Sequence, residues 1–537
     1  MNVDMILWNG QIFTVDPSLP WAEAIACGNG RIMAVGKFEE LKMLAGPDTK
    51  FINANGRLVL PGLIDAHIHF LWYVLRQHNN QIDLYEVSDV DEIRQRIGQA
   101  VQHYGKQQWL HGWGWDETHW KEKPSLNLLD DISPHTPLIL HRADLHTVWV
   151  NTAALKIAGI TNDTPDPDGG RFGRDKMGRL TGVLHEWAAI EKVEQHIPGY
   201  DAQTLQDWLK DAIANANKLG LTSIHDIRLQ REGPQSLRLF NDLNQQGELN
   251  LRTHMNVAAE FLKEAVELGI SPGFGDERLW IGQVKVFADG SMGGKTAHML
   301  ESFENESDKF GIPVTSPESM LELGMIARRA GFSLSVHAIG DRAVRTVIDV
   351  LNEIPPHEAS NVAALPHRIE HVQLIHPDDL PRLSQNNIIA SVQPVHIMSD
   401  WKTADRVWGS RARHAYAFRS MLNHHTVLAF GSDAPFAALN PMLGIYAAVT
   451  RCDDRREPEG GWVPEEKLSV EETIHGYTMG AACASGKQSL QGSISPGKWA
   501  DFIVLDRNIF EIDPMEIPET KVLMTVLDGQ VVFESAV

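Results

Sequence analysis

Cysteine is scarce in this sequence, which has three cysteines, Cys27, Cys452 and Cys483, among 537 residues. Three thiols cannot form the disulfide framework of a small secreted protein, and so low a number fits a reducing compartment. No uninterrupted run of about 18 apolar residues occurs, which argues against a membrane-spanning helix. Residues 1–5 include an aspartate and no basic segment, unlike a secretory leader. We therefore expect a cytoplasmic protein.

Basic residues are few relative to acidic ones. Lys and Arg number 48 against 70 Asp and Glu, which gives a net charge of −22. Such a charge disfavours binding to nucleic acid or to an anionic membrane surface. The hydrophobic content of 43% is ordinary for a globular protein. We expect a small-molecule substrate, with neither nucleic acid nor membrane as a partner.

What the sequence does contain is a pair of histidines at the end of an apolar run. The run follows Pro61-Gly62 and ends at His67 and His69. Because side chains alternate along a strand with period 2, both imidazoles point to the same side. Two neighbouring imidazole nitrogens suit a zinc-like ion. An isolated His-X-His pair also occurs in ordinary loops, so the motif alone does not establish a metal site.

The middle of the chain alternates strand-like and helix-like patterns, which is typical of a parallel α/β architecture. Helical patterns at 206–219 and 320–330 each end before a glycine, as a helix C-cap would. Eight strands are predicted, at residues 60–69, 138–141, 221–226, 283–289, 333–337, 368–372, 388–393 and 427–433. Eight strands with interleaved helices predict a TIM (β/α)8 barrel.

Both ends of the chain carry short strand patterns with turn signals. Asp528-Gly529 between two apolar runs predicts a hairpin. Neither end is long enough to bury a core alone, so we expect 1–58 and 488–537 to pair into one β-sandwich domain. The barrel then spans 59–487.

The segment within about 71–220 is too long for one or two strand–helix units, so it includes an insertion in the barrel. Four tryptophans lie close together in it, at 109, 113, 115 and 120. Loops at the carboxyl face of a barrel build active sites, which makes an aromatic insertion there a candidate substrate pocket. The alternative is that these tryptophans form the insertion's own core.

Ligand-type side chains lie at or near the ends of several predicted strands. All strand carboxyl ends of a barrel meet at one mouth, so residues far apart in sequence become neighbours there. Four histidines and an aspartate at one rim predict a divalent metal site. The residues are His67, His69, His337, His371 and Asp433, with Lys285 inside the fourth strand.

Longer motifs surround these residues. They are PGLIDAHIH at 61–69, VKVFADGS at 284–291, SVHAIGD at 335–341, RIEH at 368–371, SVQP at 391–394, GSDAP at 431–435 and GSISPGKWADF at 492–502. Together they resemble the amidohydrolase superfamily, specifically the branch of N-substituted formamide deformylases and exoenzyme-regulator-like proteins. The resemblance extends over essentially the whole chain.

The resemblance implies a TIM barrel plus a β-sandwich made from both termini. It implies one or two ions of zinc or another divalent metal, held by the six residues above. Lys285 would then be a carbamylated, bridging lysine, since reaction with carbon dioxide turns a cationic amine into an anionic group. Lys295 is the alternative, but it follows a Gly-Gly loop, whereas Lys285 is flanked by strand residues. Amidohydrolases often form dimers or larger assemblies, so a homo-oligomer is compatible with this resemblance.

The implied activity is hydrolysis of an amide-type C–N bond, in an N-substituted formamide or another N-acyl amine. Asp433 would be the general base, taking a proton from metal-activated water and passing it to the departing amine. A mononuclear deaminase of the same superfamily is a rival reading, and a non-catalytic binding or regulatory protein on the same fold is another. The first predicts one metal and an unmodified Lys285, and the second predicts loss of a ligand or base.

Five further residues are candidates for binding the substrate. Trp113, Asp144 and His146 lie in segments that resemble family segments near the pocket. Asp289 and Gln393 lie at predicted strand ends, where they could orient ligands or substrate.

Overall fold

The computed structural model describes residues 3–79, 82–85, 87, 89–104, 109–117, 120–143, 146–227, 233–356 and 365–535. Two compact units divide the chain. The first comprises Met1–Trp72 and Leu209–Val537, and the second is Tyr73–Trp208.

Eight parallel strands form the centre of the first unit and are labelled β1 to β8. In chain order they are Leu63–Ile68, Leu221–Asp226, Arg252–Ala258, Leu279–Phe287, Leu334–Ala338, Arg368–His371, Ile389–Val392 and Leu428–Phe430. Consecutive strands are neighbours in the sheet, and each hydrogen-bonded pair is parallel. This arrangement confirms the predicted TIM barrel.

One predicted barrel strand was wrong. Residues 138–141 form part of strand Leu138–Arg142, which belongs to a sheet of the second unit. The place in the barrel is taken by β3, whose sequence Arg-Thr-His-Met-Asn-Val-Ala is too polar to be recognised as a buried strand. Every residue of β3 is nevertheless buried. The polar side chains of this strand, such as Arg252, His254 and Asn256, are buried with the rest.

The barrel closes between β8 and β1, immediately beyond the end of β8. The backbone N–H of Asp433 donates to the carbonyl of His67 at 2.7 Å, and that of His69 donates to the carbonyl of Ala434 at 2.9 Å. The hydrogen bonds of the closing seam therefore involve two of the histidines and the aspartate predicted as ligands.

Helices alternate with the barrel strands as the sequence pattern predicts. Helix Pro317–Arg329 begins after Ser316, whose hydroxyl accepts a hydrogen bond from the N–H of Ser319 at 3.2 Å. After this helix the backbone reverses direction at Gly331, whose φ of +82° favours glycine. The other helices of the first unit are Phe38–Leu41, Gly233–Gln245, Leu262–Glu267, Asp341–Glu353, Leu380–Gln385, Ile397–Trp408, Phe418–Asn423, Pro441–Thr450, Val470–His475 and Ala481–Ala484.

Two small sheets contain strands from the ends of the chain. One has the order Arg31–Gly36, Ala24–Gly28, Met5–Trp8 and Lys50–Asn53. The other has the order Gln530–Glu534, Val522–Leu527, Phe502–Leu505, Leu58–Pro61, Gln11–Phe13 and Trp21–Ala22. Leu7 and Ile25 of the first sheet share a core with Val59 and Phe502 of the second. This sandwich, built from both termini, has the architecture that the sequence predicts, including the hairpin at Asp528-Gly529.

The second unit is a six-stranded sheet with helices. Its strands, in sheet order, are Arg171–Arg174, Leu180–His185, Thr147–Val150, Leu138–Arg142, Leu110–Trp115 and Ile82–Asp83. Its helices are Val90–Tyr104, Leu126–Ile132, Thr152–Ile157 and Trp187–Glu194, while Phe70–Asn79 and Ala202–Lys218 extend across the two unit boundaries. Among the described residues, no helix combines the length and the apolar character needed to cross a membrane.

Candidate metal centre

The carboxyl end of β1 carries two buried histidines. His67 lies in β1 and His69 follows it directly, with ring centroids 5.6 Å apart. Asp433, just after β8, places Oδ1 3.3 Å from His67 Nε2 and 3.5 Å from His69 Nε2. Each of the three residues offers a ligand atom within 4.8 Å of the others. They form a compact two-nitrogen, one-oxygen group.

Two more histidines extend this group around the barrel mouth. The ring of His371, at the end of β6, lies 4.8 Å from the ring of His67 and 4.6 Å from that of His337 in β5. Strands β1, β5, β6 and the end of β8 thus contribute to one cluster, as parallel strands of a barrel require.

Hydrogen bonds orient His67, His371 and His337. In each, one ring nitrogen must carry the proton, because its partner is an oxygen that can only accept. The pairs are His67 Nδ1 with Glu370 Oε2 at 2.6 Å, His371 Nδ1 with Gln393 Oε1 at 2.7 Å, and His337 Nε2 with the Gly290 carbonyl at 2.9 Å. Metal-binding histidines are commonly held in this way, through the ring nitrogen that does not bind the metal.

Glu370 is a functional residue of this cluster that is not among the predicted site residues. This buried carboxylate receives hydrogen bonds from Arg368 Nε and from the Ser335 hydroxyl, both at 2.6 Å, in addition to that of His67. Burial alone would raise the pKa of Glu370, but Arg368 and His67 hold it well below its ordinary value. The sequence does contain an indication of this residue: Arg368 and Glu370 carry opposite charges and lie two residues apart in one buried strand.

The electrostatics of Asp433 resemble those of Glu370. Burial opposes ionisation, yet the imidazoles of His67, His69 and His371 keep the pKa of Asp433 well below its ordinary value. Its carboxylate is therefore anionic at neutral pH. The pKa of His371 is also lowered, well below 6.5, by burial and by the neighbouring His337 and His67 rings, but for an imidazole this favours the neutral form. A neutral imidazole beside an anionic carboxylate is the protonation state in which both can ligate a cation.

Backbone strain also accompanies the site. His371 has a φ of +75° and Asp433 a φ of +58°. Non-glycine residues rarely adopt the left-handed region, and such conformations concentrate at functional sites. Here they allow the chain to turn sharply at the ends of β6 and β8.

Of the two lysines considered, Lys285 is the buried one in the barrel. It lies in β4 with its Nζ 4.8 Å from the centroid of the Phe287 ring. Burial lowers the pKa of Lys285 to about 8, although Glu370 and Asp433 oppose that shift. Lys295 instead lies in the loop beyond β4 and forms an ion pair with Glu306.

Asp289 and Gln393 make structural contacts at the barrel mouth. Asp289 accepts three backbone hydrogen bonds, from Ile339, Gly340 and His298, at distances of 2.8–3.0 Å. Burial raises its pKa to about 7 despite these bonds. Gln393 accepts from His371 and donates to the Ser391 carbonyl. Both residues therefore bear on the orientation of loops and ligands.

The remaining predicted pocket residues belong to the second unit. Trp113 stacks on His141, with ring centroids 4.0 Å apart and planes 12° apart. His146 Nδ1 lies 2.9 Å from Glu186 Oε2. Asp144 lies outside the described residues. Trp109, Trp115 and Trp120 pack in that unit's own hydrophobic cores, as the alternative interpretation of the tryptophans predicts.

The donor set at the barrel mouth fits a divalent cation. His67 Nε2 and Asp433 Oδ1 are both buried, and neither has a hydrogen-bond partner within the part of the chain that the structure describes. Buried polar atoms without partners are costly, so their proximity calls for a ligand that the protein itself does not supply. Imidazole nitrogen with carboxylate oxygen suits zinc and other divalent ions alike.

A TIM barrel with histidines and an aspartate at the carboxyl ends of its strands is the architecture of a metal-dependent hydrolase. Residues 50–533 match the model of the amidohydrolase family, and the chain belongs to that family.

Relatives cover nearly all of the chain. It is 33% identical to Protein LONG AFTER FAR-RED 3 of Arabidopsis thaliana, over 98% of this chain and 91% of that protein. It is 26% identical to the N-substituted formamide deformylase of Arthrobacter pascens, over 99% and 98% of the two chains. Among solved structures, an uncharacterized metal-dependent hydrolase from Pyrococcus horikoshii matches with a TM-score of 0.78 and 26% identity, over 95% of this chain and 99% of that chain. The predicted family branch and the hydrolase class are confirmed.

Proposed function

We propose that this hydrolase cleaves the amide-type C–N bond of a small N-acyl amine, with N-substituted formamides as the first class to test. The observation that carries the proposal is the buried, anionic Asp433 carboxylate within 3.5 Å of two histidine nitrogens. The similarity to an N-substituted formamide deformylase supports the substrate class. The negative charge of the chain favours a small substrate over nucleic acid.

In this proposal one or two divalent ions, zinc being the first to test, are held by six residues. They are His67, His69, Lys285, His337, His371 and Asp433. A bound cation would supply Lewis acidity for the substrate carbonyl and for the attacking water. Lys285 would contribute as a carbamate, and its pKa of about 8 leaves some neutral amine near neutral pH to react with carbon dioxide.

Asp433 has the position and charge of a general base. Its carboxylate accepts the proton that water loses as its oxygen bonds to the carbonyl carbon. It then delivers that proton to the nitrogen as the C–N bond breaks, so that the amine leaves neutral and the acid is formed. Oδ1 lies on the side of His67 and His69, and Oδ2 lies on the side of His371 and His396.

The test begins with the metal content of protein purified without chelator, and with intact mass. Two ions per chain and the added mass of one carbon dioxide would support the Lys285-bridged site. The protein is then assayed against N-alkyl and N-arylalkyl formamides and the matching acetamides, with release of the amine as the readout. One ion and an unmodified lysine, with ammonia released from an aminated ring, would instead favour the deaminase reading.

Replacing the base gives the sharpest prediction. We expect Asp433→Asn to lower kcat by about 10²–10⁴-fold while the fold and bound metal are retained, because an amide cannot accept the proton. Turnover and metal content are measured on the same sample. Asp379→Asn is the control: it removes another buried carboxylate, paired with Arg345 and Arg382 and outside this cluster. Full activity in Asp433→Asn would remove Asp433 from the role of base.

A further inference from the structure

His396 is a buried histidine at the barrel mouth that no motif singled out. It ends the short 3-10 turn Pro394–His396 that follows β7, and its side chain is only 11% exposed. Its Nε2 lies 3.7 Å from Asp433 Oδ2. Within the described residues, no hydrogen-bond partner reaches this nitrogen. A buried ring nitrogen without a partner is uncommon and calls for an explanation, which at the mouth of the barrel a bound ligand would supply.

The position of His396 differs from that of His67 and His69. His67 and His69 approach Asp433 Oδ1, whereas His396 approaches the other oxygen, Oδ2. Its ring is nearly parallel to that of His371, with an interplanar angle of 15° but a centroid distance of 6.4 Å. His396 therefore shares the Oδ2 side of Asp433 with His371, opposite the oxygen that His67 and His69 approach. In the proposed function, a substrate bound next to Oδ2 comes within reach of His396 Nε2.

We infer that His396 is a further catalytic residue, whose Nε2–H donates a hydrogen bond to the substrate oxygen that becomes negatively charged. This inference rests on the proposed function and adds a contact to it. As water adds to the carbonyl carbon, the C=O π electrons move to oxygen, and a donor fixed at that position stabilises the charge. No proton is transferred from His396, so the ring returns to the same state when the carbonyl re-forms and the amine leaves.

Two substitutions distinguish this role from a structural one. His396→Phe keeps an aromatic ring but removes the donor, and we expect kcat to fall by about 10²–10³-fold with metal content unchanged. His396→Gln restores an N–H donor, so it should recover a measurable part of that loss. Val395→Ala is the matched control, since it alters packing of the same turn without touching the donor. We expect its kcat to stay within about threefold of the parent.

Three results would overturn the inference. A fall in metal content of His396→Phe would make His396 a metal ligand instead. A rise in KM with unchanged kcat would make it a ground-state binding residue. Equal losses in His396→Phe and Val395→Ala would assign the effect to packing of the turn.

A binding measurement separates this inference from the proposed function. Methylphosphonate, a tetrahedral oxyanion, is titrated calorimetrically into the metal-loaded protein and into loaded His396→Phe. We expect its affinity to fall at least tenfold in the variant. If the parent protein hydrolyses none of the amides but shows this His396-dependent binding, the proposed substrate class fails and the donor role stands. Equal affinity in both proteins would overturn the donor role whatever the activity.

Discussion

At the scale of single residues, Glu370 determines which nitrogen His67 presents to the site. Replacing the carboxylate with an amide leaves Arg368 without its buried counterion and weakens the hydrogen bond that His67 Nδ1 donates to residue 370. We expect Glu370→Gln to lower metal affinity about 10–100-fold, the range for partners of metal-binding histidines. We also expect a loss of about 3–5 kcal/mol in the free energy of unfolding, as for a broken buried ion pair. Chelator competition and urea unfolding measure the two effects.

Ser335→Ala is the control for that substitution. It removes one hydrogen bond to Glu370 but leaves the charge pair with Arg368 intact. We expect a loss of about 1 kcal/mol and a much smaller change in metal affinity. If Ser335→Ala and Glu370→Gln weakened metal binding equally, the charge of Glu370 would not be what orients His67.

Residues at strand ends are the part of the site that the sequence makes visible. His67, His69, His371 and Asp433 occupy the ends of strands or the residues next to them, where the barrel topology brings them together. His396 could not be found in this way, because its position depends on the path of a 3-10 turn after β7. The roles proposed for these side chains remain predictions until metal and turnover are measured.

At the scale of secondary-structure elements, β2 and β3 each place a histidine in the buried barrel. His225 accepts a hydrogen bond from Arg368 at 3.0 Å, and its ring centroid lies 4.7 Å from that of His254. A Cβ on Gly282 of β4 would clash with the His254 ring, so the glycine makes room for it. Burial, with further contributions from Arg368 and Lys487, lowers the pKa of His254 well below 6.5.

This pKa shift predicts a dependence of stability on acid. In the unfolded chain His254 takes up a proton as the pH falls below about 6.5, whereas in the folded protein it stays neutral. The unfolded state then binds more protons, so stability is lost as the pH falls from about 6.5 towards the lower folded pKa. Below about pH 6.5 the free energy of unfolding falls with pH, and we expect His254→Asn in metal-free protein to reduce that slope by about 1.4 kcal/mol per pH unit. Urea midpoints between pH 7 and 5 test this, and parallel curves for both proteins would contradict it.

The error over β3 has a physical cause at the same scale. A buried parallel strand is expected to be a continuous apolar run, and residues 138–141 satisfy that rule in the second unit, whereas β3 does not. β3 contains His254 and Asn256, which are buried in the structure. Local sequence shows that a strand is buried but not which sheet buries it.

At the scale of the whole molecule, a buried ion pair joins the barrel to the terminal strands. Arg252 in β3 bonds Asp501 through Nε at 2.6 Å and through a second nitrogen at 3.1 Å, and its guanidinium lies 3.8 Å from the Trp499 ring centroid. We expect Arg252→Met to destabilise the protein by about 3–5 kcal/mol, because the Asp501 charge is left buried without its partner.

The double variant tests that reason. Adding Asp501→Leu to Arg252→Met removes the uncompensated charge, so most of the lost stability should return. Urea unfolding of the two single variants and the double variant gives the coupling free energy between Arg252 and Asp501. If Asp501→Leu caused a further, additive loss, the Arg252 effect would come from lost packing against Trp499 rather than from the charge.

The global architecture was predictable because strand count, alternation and turn chemistry all point to the same fold. The pairing of Phe502–Leu505 with Leu58–Pro61 joins strands from opposite ends of the chain. It was indicated by the shortness of each end, which cannot bury a core alone, and by the family resemblance. The internal structure of the second unit was not predictable, because its strand order mixes parallel and antiparallel neighbours.

The seam between β8 and β1 has a consequence for biosynthesis. Asp433 and His67 meet only when the barrel closes, and the nearby hydrogen bond from the Ser432 N–H to Asp65 joins residues 367 positions apart. A ribosome must therefore make most of the chain before the aspartate can reach the first two histidines. Until then, the nascent protein has only part of the proposed ligand set. For the proposed metal site, loading would be a late event, and a chain truncated before residue 433 would be released without Asp433.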